Sequence, residues 1–163
     1  MVYIMKFHVD GGCRGNGNPW SIGAAAAVMT KKWGQGSCWV QRLHVNEYDP
    51  PTNQKAEIMA IILALEGALQ VYNQLNTNPR LNVEIFSDSR YAIGCMTDWI
   101  YKWSQNGWRN AAGNPVANQE LIRKASRLDD ELSELGVVNY TWIPRSENEE
   151  ADGYANRAMD DMK

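Results

Sequence analysis

The order in which apolar periodicity changes along this chain most constrains what it can fold into. Three strand-like runs come first, Val2–Asp10, Ile22–Met29 and Ser37–Leu43. The first is rich in β-branched and aromatic residues and reads as a central strand. The segment from Gly11 to Ser21, with four glycines and a proline, reads as a turn or loop. IGAAAAVM is ambiguous alone because alanine favours helix, but its flanks, that loop and the polar KKWGQG turn, favour a strand in a meander. After the prolines at 50 and 51 the period becomes helical. Thr52 or Asn53 serves as N-cap, and Ile58, Ile61, Ile62, Leu65 and Leu69 form one stripe. A strand over Asn82–Ser87 follows, then helical material from Ser89 to about Trp103 and a loop, SQNGWRNAAGNP. The stretch Val116–Leu135 is amphipathic, with Leu121, Ile122, Ala125, Leu128 and Leu132 on one side and Gly136 as its stop. Val137–Ile143 makes a fifth strand, Pro144–Ser146 a turn and Glu147–Met162 a last helix. The order β-β-β-α-β-α-α-β-α predicts an α/β fold, a five-stranded mixed sheet with helices on its faces. Its 163 residues are expected to form a single domain, 1–163.

Composition narrows the function classes. A net charge of −3 argues against a protein that grips nucleic acid by bulk electrostatics, while leaving room for a local patch. Cys13, Cys38 and Cys95 lack zinc-site spacing and an even count, so they read as free thiols in a reducing compartment; an intracellular, cytoplasmic setting is expected, with nucleus or organelle left open. The apolar start lacks a basic leader and reads as a strand rather than a signal peptide. The apolar run Ile61–Leu69 is broken by Glu66, so no membrane span is expected.

Four acids stand where regular elements are expected to begin or end. Asp10 closes the first strand, Glu57 lies in the first turn of the first long helix, Asp88 ends VEIFSD, and Asp152 lies near the start of the last helix. Each alone has an ordinary explanation as a turn, dipole or capping residue. Together in one place they would repel one another unless divalent cations sat between them, which points to metal-dependent chemistry on phosphates. Asn16 beside Asp10, and Thr52, Asn53 and Gln54 at a helix entrance, add groups able to meet phosphate, sugar hydroxyls or base edges.

The segments DGGCRGNG, TNQKAE, FSDS, WIYKWSQNGW and NEEADGYAN, in this order and spacing, resemble the type 1 ribonuclease H family over essentially the whole chain. The resemblance implies a ribonuclease H-like fold with strand order 3-2-1-4-5. It implies a nuclease, an endonuclease that hydrolyses the RNA strand of RNA–DNA hybrids and leaves 5′-phosphate and 3′-hydroxyl ends. Asp10, Glu57, Asp88 and Asp152 would be catalytic and hold two Mg²⁺ ions, with Mn²⁺ able to substitute. Asp10 would bridge both ions, Glu57 and Asp88 would lie on the leaving-group side, and Asp152 on the nucleophile side. Asn16, Asn53 and Gln54 would read the RNA strand, with backbone near Gly11 and Cys13 supplying 2′-hydroxyl contacts. Thr52 and Asn118 would hold a DNA phosphate. Trp99, Trp103 and Trp108 match the substrate-handling protrusion, with Trp99 set to pack against DNA sugar, while tryptophans at the spacing of Trp103 and Trp108 more often pack one helix onto another as scaffold than touch substrate. The expected partner is the hybrid duplex, bound weakly and salt-sensitively by a monomer that carries no separate hybrid-binding domain.

One departure stands out. Many family members carry a catalytic histidine in the loop before the last helix, whereas this chain reads TWIPRSENEEAD there. Arg145 would then approach a phosphate or leaving group, or pair with a nearby acid, and turnover would be slowed but not abolished. Two alternatives remain open at this stage. One is a related metal-dependent DNA nuclease or resolvase-like enzyme, and the other a non-catalytic hybrid-binding domain.

Overall fold

The computed structural model describes residues 2–16, 18–30 and 36–161. Its sheet is five-stranded: β1 (Val2–Arg14), β2 (Ile22–Thr30), β3 (Ser37–Arg42), β4 (Arg80–Ser87) and β5 (Gly136–Trp142). The strand order is β3-β2-β1-β4-β5, with β1–β2 and β2–β3 antiparallel and β1–β4 and β4–β5 parallel. The mixed sheet and its order match the expectation from the sequence. All of the KKWGQG turn but Gly36, and Met162 of the last expected helix, lie outside the described residues.

The long helix α1 (Asn53–Gln74) starts where expected, with the Thr52 hydroxyl accepting from the Lys55 amide at 3.1 Å. It differs from the predicted one-sided stripe. Ala60, Leu63, Ala64 and Ala68 are buried together with Ile58, Ile61, Ile62 and Leu65, because α1 lies between the sheet and α4 (Gln119–Leu135). Among the described residues it is the one helix long and apolar enough to cross a membrane by length and composition; 56% of its most apolar window is buried inside the protein. The alanines of β2 have the same cause. Ala24 to Ala27 are fully buried, since α1 presses on one face of the strand and α5 (Glu149–Asp160) on the other. Tight layering selects small side chains there, so a helix-prone composition forms a strand.

Several boundaries moved. α4 starts at Gln119 rather than Val116, Gly136 is the first residue of β5 as well as the end of α4, and α5 starts at Glu149 after a 3₁₀ turn over Arg145–Glu147. β1 runs on to Arg14, so Gly11–Arg14 is strand rather than loop; Asp10 faces Ala26 and Gly11 faces Ala25 across the β1–β2 ladder. Loss of the β4 partner after Val9 does not end β1, because β2 continues to pair with it. The helical material after β4 is α2 (Arg90–Gly94), a π-helical turn over Cys95–Trp99, and α3 (Ile100–Gln105).

Candidate active site

Gly11 is where the strand and helix layers touch. A Cβ there would lie 2.2 Å from the carbonyl carbon and oxygen of Ala56 and 2.5 Å from the amide nitrogen of Glu57. That approach, open only to glycine, sets the start of α1 against β1 and brings Glu57 beside Asp10. Glu57 is the fifth helical residue, beyond the first turn, where no acid lies. A capping or dipole role for it is thereby corrected, because the free amides are already behind it.

Asp88 follows β4 directly. The cap of α2 is Ser89 rather than Asp88, its hydroxyl accepting from the Ala92 amide at 3.0 Å. The same hydroxyl donates to Glu57 Oε2 at 2.7 Å, and the Ser89 amide donates to Ser87 Oγ at 3.0 Å. Asp88 is therefore free to turn toward the cavity. Trp142 Nε1 donates to its carbonyl at 3.0 Å, and Asn148 Nδ2 to its Oδ2 at 3.3 Å. Asp152, one turn into α5, accepts from Asn156 Nδ2 at 3.2 Å, and Arg145 Nη2 lies 3.6 Å from its Oδ1.

These elements bring all four acids to one cavity of about 330 Å³, which Gly11, Cys13, Asn53 and Arg145 also line. Asp10 is half-buried, and its pKa is raised from 3.8 to about 8. Burial is the main cause; a hydrogen bond with Asp152 and the charges of Asp88 and Asp152 add to it, against a lowering bond from the Gly11 amide. Burial also raises Glu57, opposed by the Ser89 hydroxyl and reinforced by Asp88. Among the described residues no three His, Cys, Asp or Glu side chains form a ready-made cation cage. The acids line the wall close enough to raise one another, Asp10 being held protonated beside Asp152 and Asp88. An all-carboxylate donor set of this kind suits a hard divalent cation such as Mg²⁺ or Mn²⁺.

The raised carboxyls have a consequence for stability. Between the ordinary value of 3.8 and about 8 the folded chain holds a proton at Asp10 that the unfolded chain has lost. The unfolded state binds fewer protons through that window, so stability falls as pH rises and the loss is complete above about 8. Glu57 acts in the same direction. The lowered pKa of His8 acts oppositely, costing stability only as pH falls toward and below 6.5. In chelator, melting temperature is expected to drop between about pH 7 and about pH 8.5, and Mg²⁺ to restore it. A profile flat over that interval and indifferent to Mg²⁺ would contradict this picture of the site.

A neighbouring cavity of about 510 Å³ is lined by Asn16, Thr52, Asn53, Gln54 and Asn118, joining five of the expected substrate contacts. Asn53 lines both cavities. Asn16 Oδ1 accepts from the Asn53 amide at 3.0 Å, and Asn118, left-handed at φ 61°, donates from Nδ2 to the Tyr91 hydroxyl at 3.0 Å. Thr52 spends one lone pair on its cap and keeps its hydroxyl proton. The aromatic protrusion lies apart from the acids and lines a third cavity with Tyr91, Trp99, Trp103, Lys102 and Arg109. Tyr91, Trp99, Trp103 and Trp108 form a tilted series with centroids 6.2, 5.9 and 6.2 Å apart. Trp99 is 40% exposed, while Trp103 and Trp108 pack against the core. Arg123 covers the Trp108 ring at 4.8 Å. Cys13 donates to the Pro51 carbonyl at 3.3 Å, and burial raises its thiol pKa, the opposite of what a redox-reactive cysteine needs.

The sequence reading missed Ser89 and Asn148. The serine in FSDS and the asparagine opening NEEAD were visible signals, each hidden behind the acid beside it.

The sequence model of the RNase H family matches residues 3–160. The chain belongs to the ribonuclease H family. It is 34% identical over 158 residues to Ribonuclease H of Alkalilimnicola ehrlichii, covering 94% of this chain and 93% of that one. To Ribonuclease H of Paracidovorax citrulli it is 32% identical over 160 residues, covering 94% and 92%. The crystal structure of RNase H1 from the halophilic archaeon Halobacterium salinarum superposes with a TM-score of 0.63 at 25% identity, covering 98% of this chain and 99% of that one. LC11-RNase H1, crystallised in complex with an RNA/DNA hybrid, shares the fold at a TM-score of 0.65 and 23% identity, covering 97% and 98%. Ribonucleases H are metal-dependent nucleases, and the four carboxylates that line the cavity described above fit that requirement.

Proposed function

We propose that this ribonuclease H cuts the RNA strand of RNA–DNA hybrids endonucleolytically, with Asp10, Glu57, Asp88 and Asp152 holding two Mg²⁺ ions. The observation that carries the reading is the convergence of the four acids on one cavity that shares Asn53 with the neighbouring amide-lined cavity. Bound cations would offset the repulsion among the acids, activate water for attack on a phosphodiester and stabilise the oxygen that leaves. The chain's own groups do the rest. Ser89 fixes Glu57, Asn156 fixes Asp152, and Asn148 holds Asp88. Asn16, Gln54 and the Asn53 side chain offer donors and acceptors to an RNA minor groove and its 2′-hydroxyls. Thr52 and Asn118 supply a hydroxyl and an amide to a DNA phosphate, and the exposed ring of Trp99 packs against DNA sugar.

Arg145 combines both roles weighed from the sequence. It pairs with Asp152 at 3.6 Å, yet its side chain is 81% exposed and lines the cavity, where a phosphate could compete for it. With no histidine in this loop, Arg145 is the only cation the 3₁₀ turn Arg145–Glu147 brings to the acids. Cleavage of an end-labelled hybrid in Mg²⁺ is expected to yield internal cuts bearing 5′-phosphate and 3′-hydroxyl ends. Products with 2′,3′-cyclic phosphates would overturn the proposal, since they arise from attack by the RNA's own 2′-hydroxyl.

A further inference from the structure

Asn148 stands at the N-terminus of α5 but does not cap it; its side chain makes no bond to the helix amides. Only 1% of the residue is exposed. Nδ2 donates to two acceptors, the Val9 carbonyl of β1 at 2.8 Å and Asp88 Oδ2 at 3.3 Å, while Oδ1 is buried with no partner among the described residues. A buried amide that leaves its acceptor unpaired and omits its usual capping bond gives up stability. Both atoms it does engage are acceptors, so the position requires a donor.

The location explains what that donor does. Val9 pairs with Ser87 at the last register of the β1–β4 ladder, after which β1 continues with β2 and β4 ends. Asp10 and Asp88 are the residues immediately beyond that last pair. Asn148 bridges the two strands where their own hydrogen bonds stop, and it does so from the helix that carries Asp152. One amide thus links the three elements that bear three of the four acids.

We propose that Asn148 is a positioning residue for the cation site: its Nδ2 sets the orientation of Asp88 and the spacing of Asp88 from Asp10 and Asp152. The inference rests on the proposed metal-dependent function and assigns the buried amide a part in it. Removing a hydrogen-bond partner behind a metal-binding carboxylate typically weakens metal affinity or activity roughly 10- to 100-fold.

The test uses the full chain as parent, Asn148→Ala, which leaves a void, and Asn148→Leu, which fills the volume without a donor. Leu132→Ala, a fully buried truncation in α4, controls for general loss of stability. Mn²⁺ binding to the substrate-free proteins is followed by electron paramagnetic resonance at a temperature where circular dichroism shows all four folded. Hybrid cleavage gives kcat and KM separately. Both Asn148 variants are expected to bind Mn²⁺ at least about 10-fold more weakly and to lose kcat, with KM within about twofold of the parent. Leu132→Ala should melt lower with unchanged Mn²⁺ affinity. If either Asn148 variant binds Mn²⁺ like the parent and keeps its kcat, or if Leu132→Ala weakens Mn²⁺ equally, the positioning role is wrong. A parent that binds Mn²⁺ yet cleaves no hybrid overturns the functional reading instead, while weaker Mn²⁺ binding by the Asn148 variants would still support the role of the amide.

Discussion

Asp10→Asn is expected to abolish hybrid cleavage while making the metal-free protein more stable. Asp10 carries the heaviest electrostatic load of the site: it is half-buried, hydrogen-bonded to Asp152 and faces the charge of Asp88, which together raise its pKa to about 8. An amide there is neutral at every pH and of the same size, so folding no longer has to hold a proton at Asp10 or, at higher pH, bury its charge beside Asp88 and Asp152. In chelator the melting temperature should rise by several degrees, since about 1 kcal/mol shifts a domain of this size by roughly 2–4 °C. The same change removes a central carboxylate from the cation site. Metal ions supply several kcal/mol of transition-state stabilisation, so activity should fall roughly 1,000-fold or more. A stabilised but inactive Asp10→Asn enzyme separates the chemistry of the site from folding. Near-parental cleavage in Mg²⁺ would contradict the assignment.

Gly11→Ala is expected to damage both fold and site. The added methyl would meet the Ala56 carbonyl at 2.2 Å and the Glu57 amide at 2.5 Å, all backbone atoms held by α1. Neither partner can rotate aside, so strand and helix must separate. Overpacking of this kind costs about 1–3 kcal/mol, and more where backbone must move. Because the contact also sets Glu57 beside Asp10, residual folded protein should cleave poorly. Gly12→Ala provides the contrast. Its methyl would meet only the flexible Met159 Cε, at 3.1 Å. It should melt within a few degrees of the parent, and a Gly11→Ala protein that melts and cleaves like the parent would refute the role given to this contact.

Much of the fold was legible because apolar periodicity changes sharply from strands to helices, and the order of these changes admits few topologies. What the sequence hid were effects of the third dimension. The continuation of β1 through Gly11–Arg14 looked like a loop because glycine usually breaks strands; here it admits α1. The stripe on α1 looked one-sided because periodicity reports one packed face, whereas α4 covers a second. Burial on both faces likewise decided the ambiguous alanines of β2 in favour of a strand. At the site, the four acids stood out through their flanking motifs. Ser89 and Asn148 did not, because a serine after a strand and an asparagine before a helix are ordinary caps, and only coordinates reveal that their side chains also reach the acids. For Arg145 the structure shows the pairing with an acid, Asp152, while its approach to a phosphate belongs to the proposed function.

The most direct test of the central claim is cleavage of sequence-matched RNA–DNA, RNA–RNA and DNA–DNA duplexes by the purified protein, in Mg²⁺, in Mn²⁺ and in chelator. The four-acid cavity and its amide-lined neighbour predict cutting of the RNA strand in the hybrid alone, with either cation, and none in chelator. Cleavage of the DNA–DNA duplex at a comparable rate, or hybrid cleavage that persists in chelator, would contradict the account.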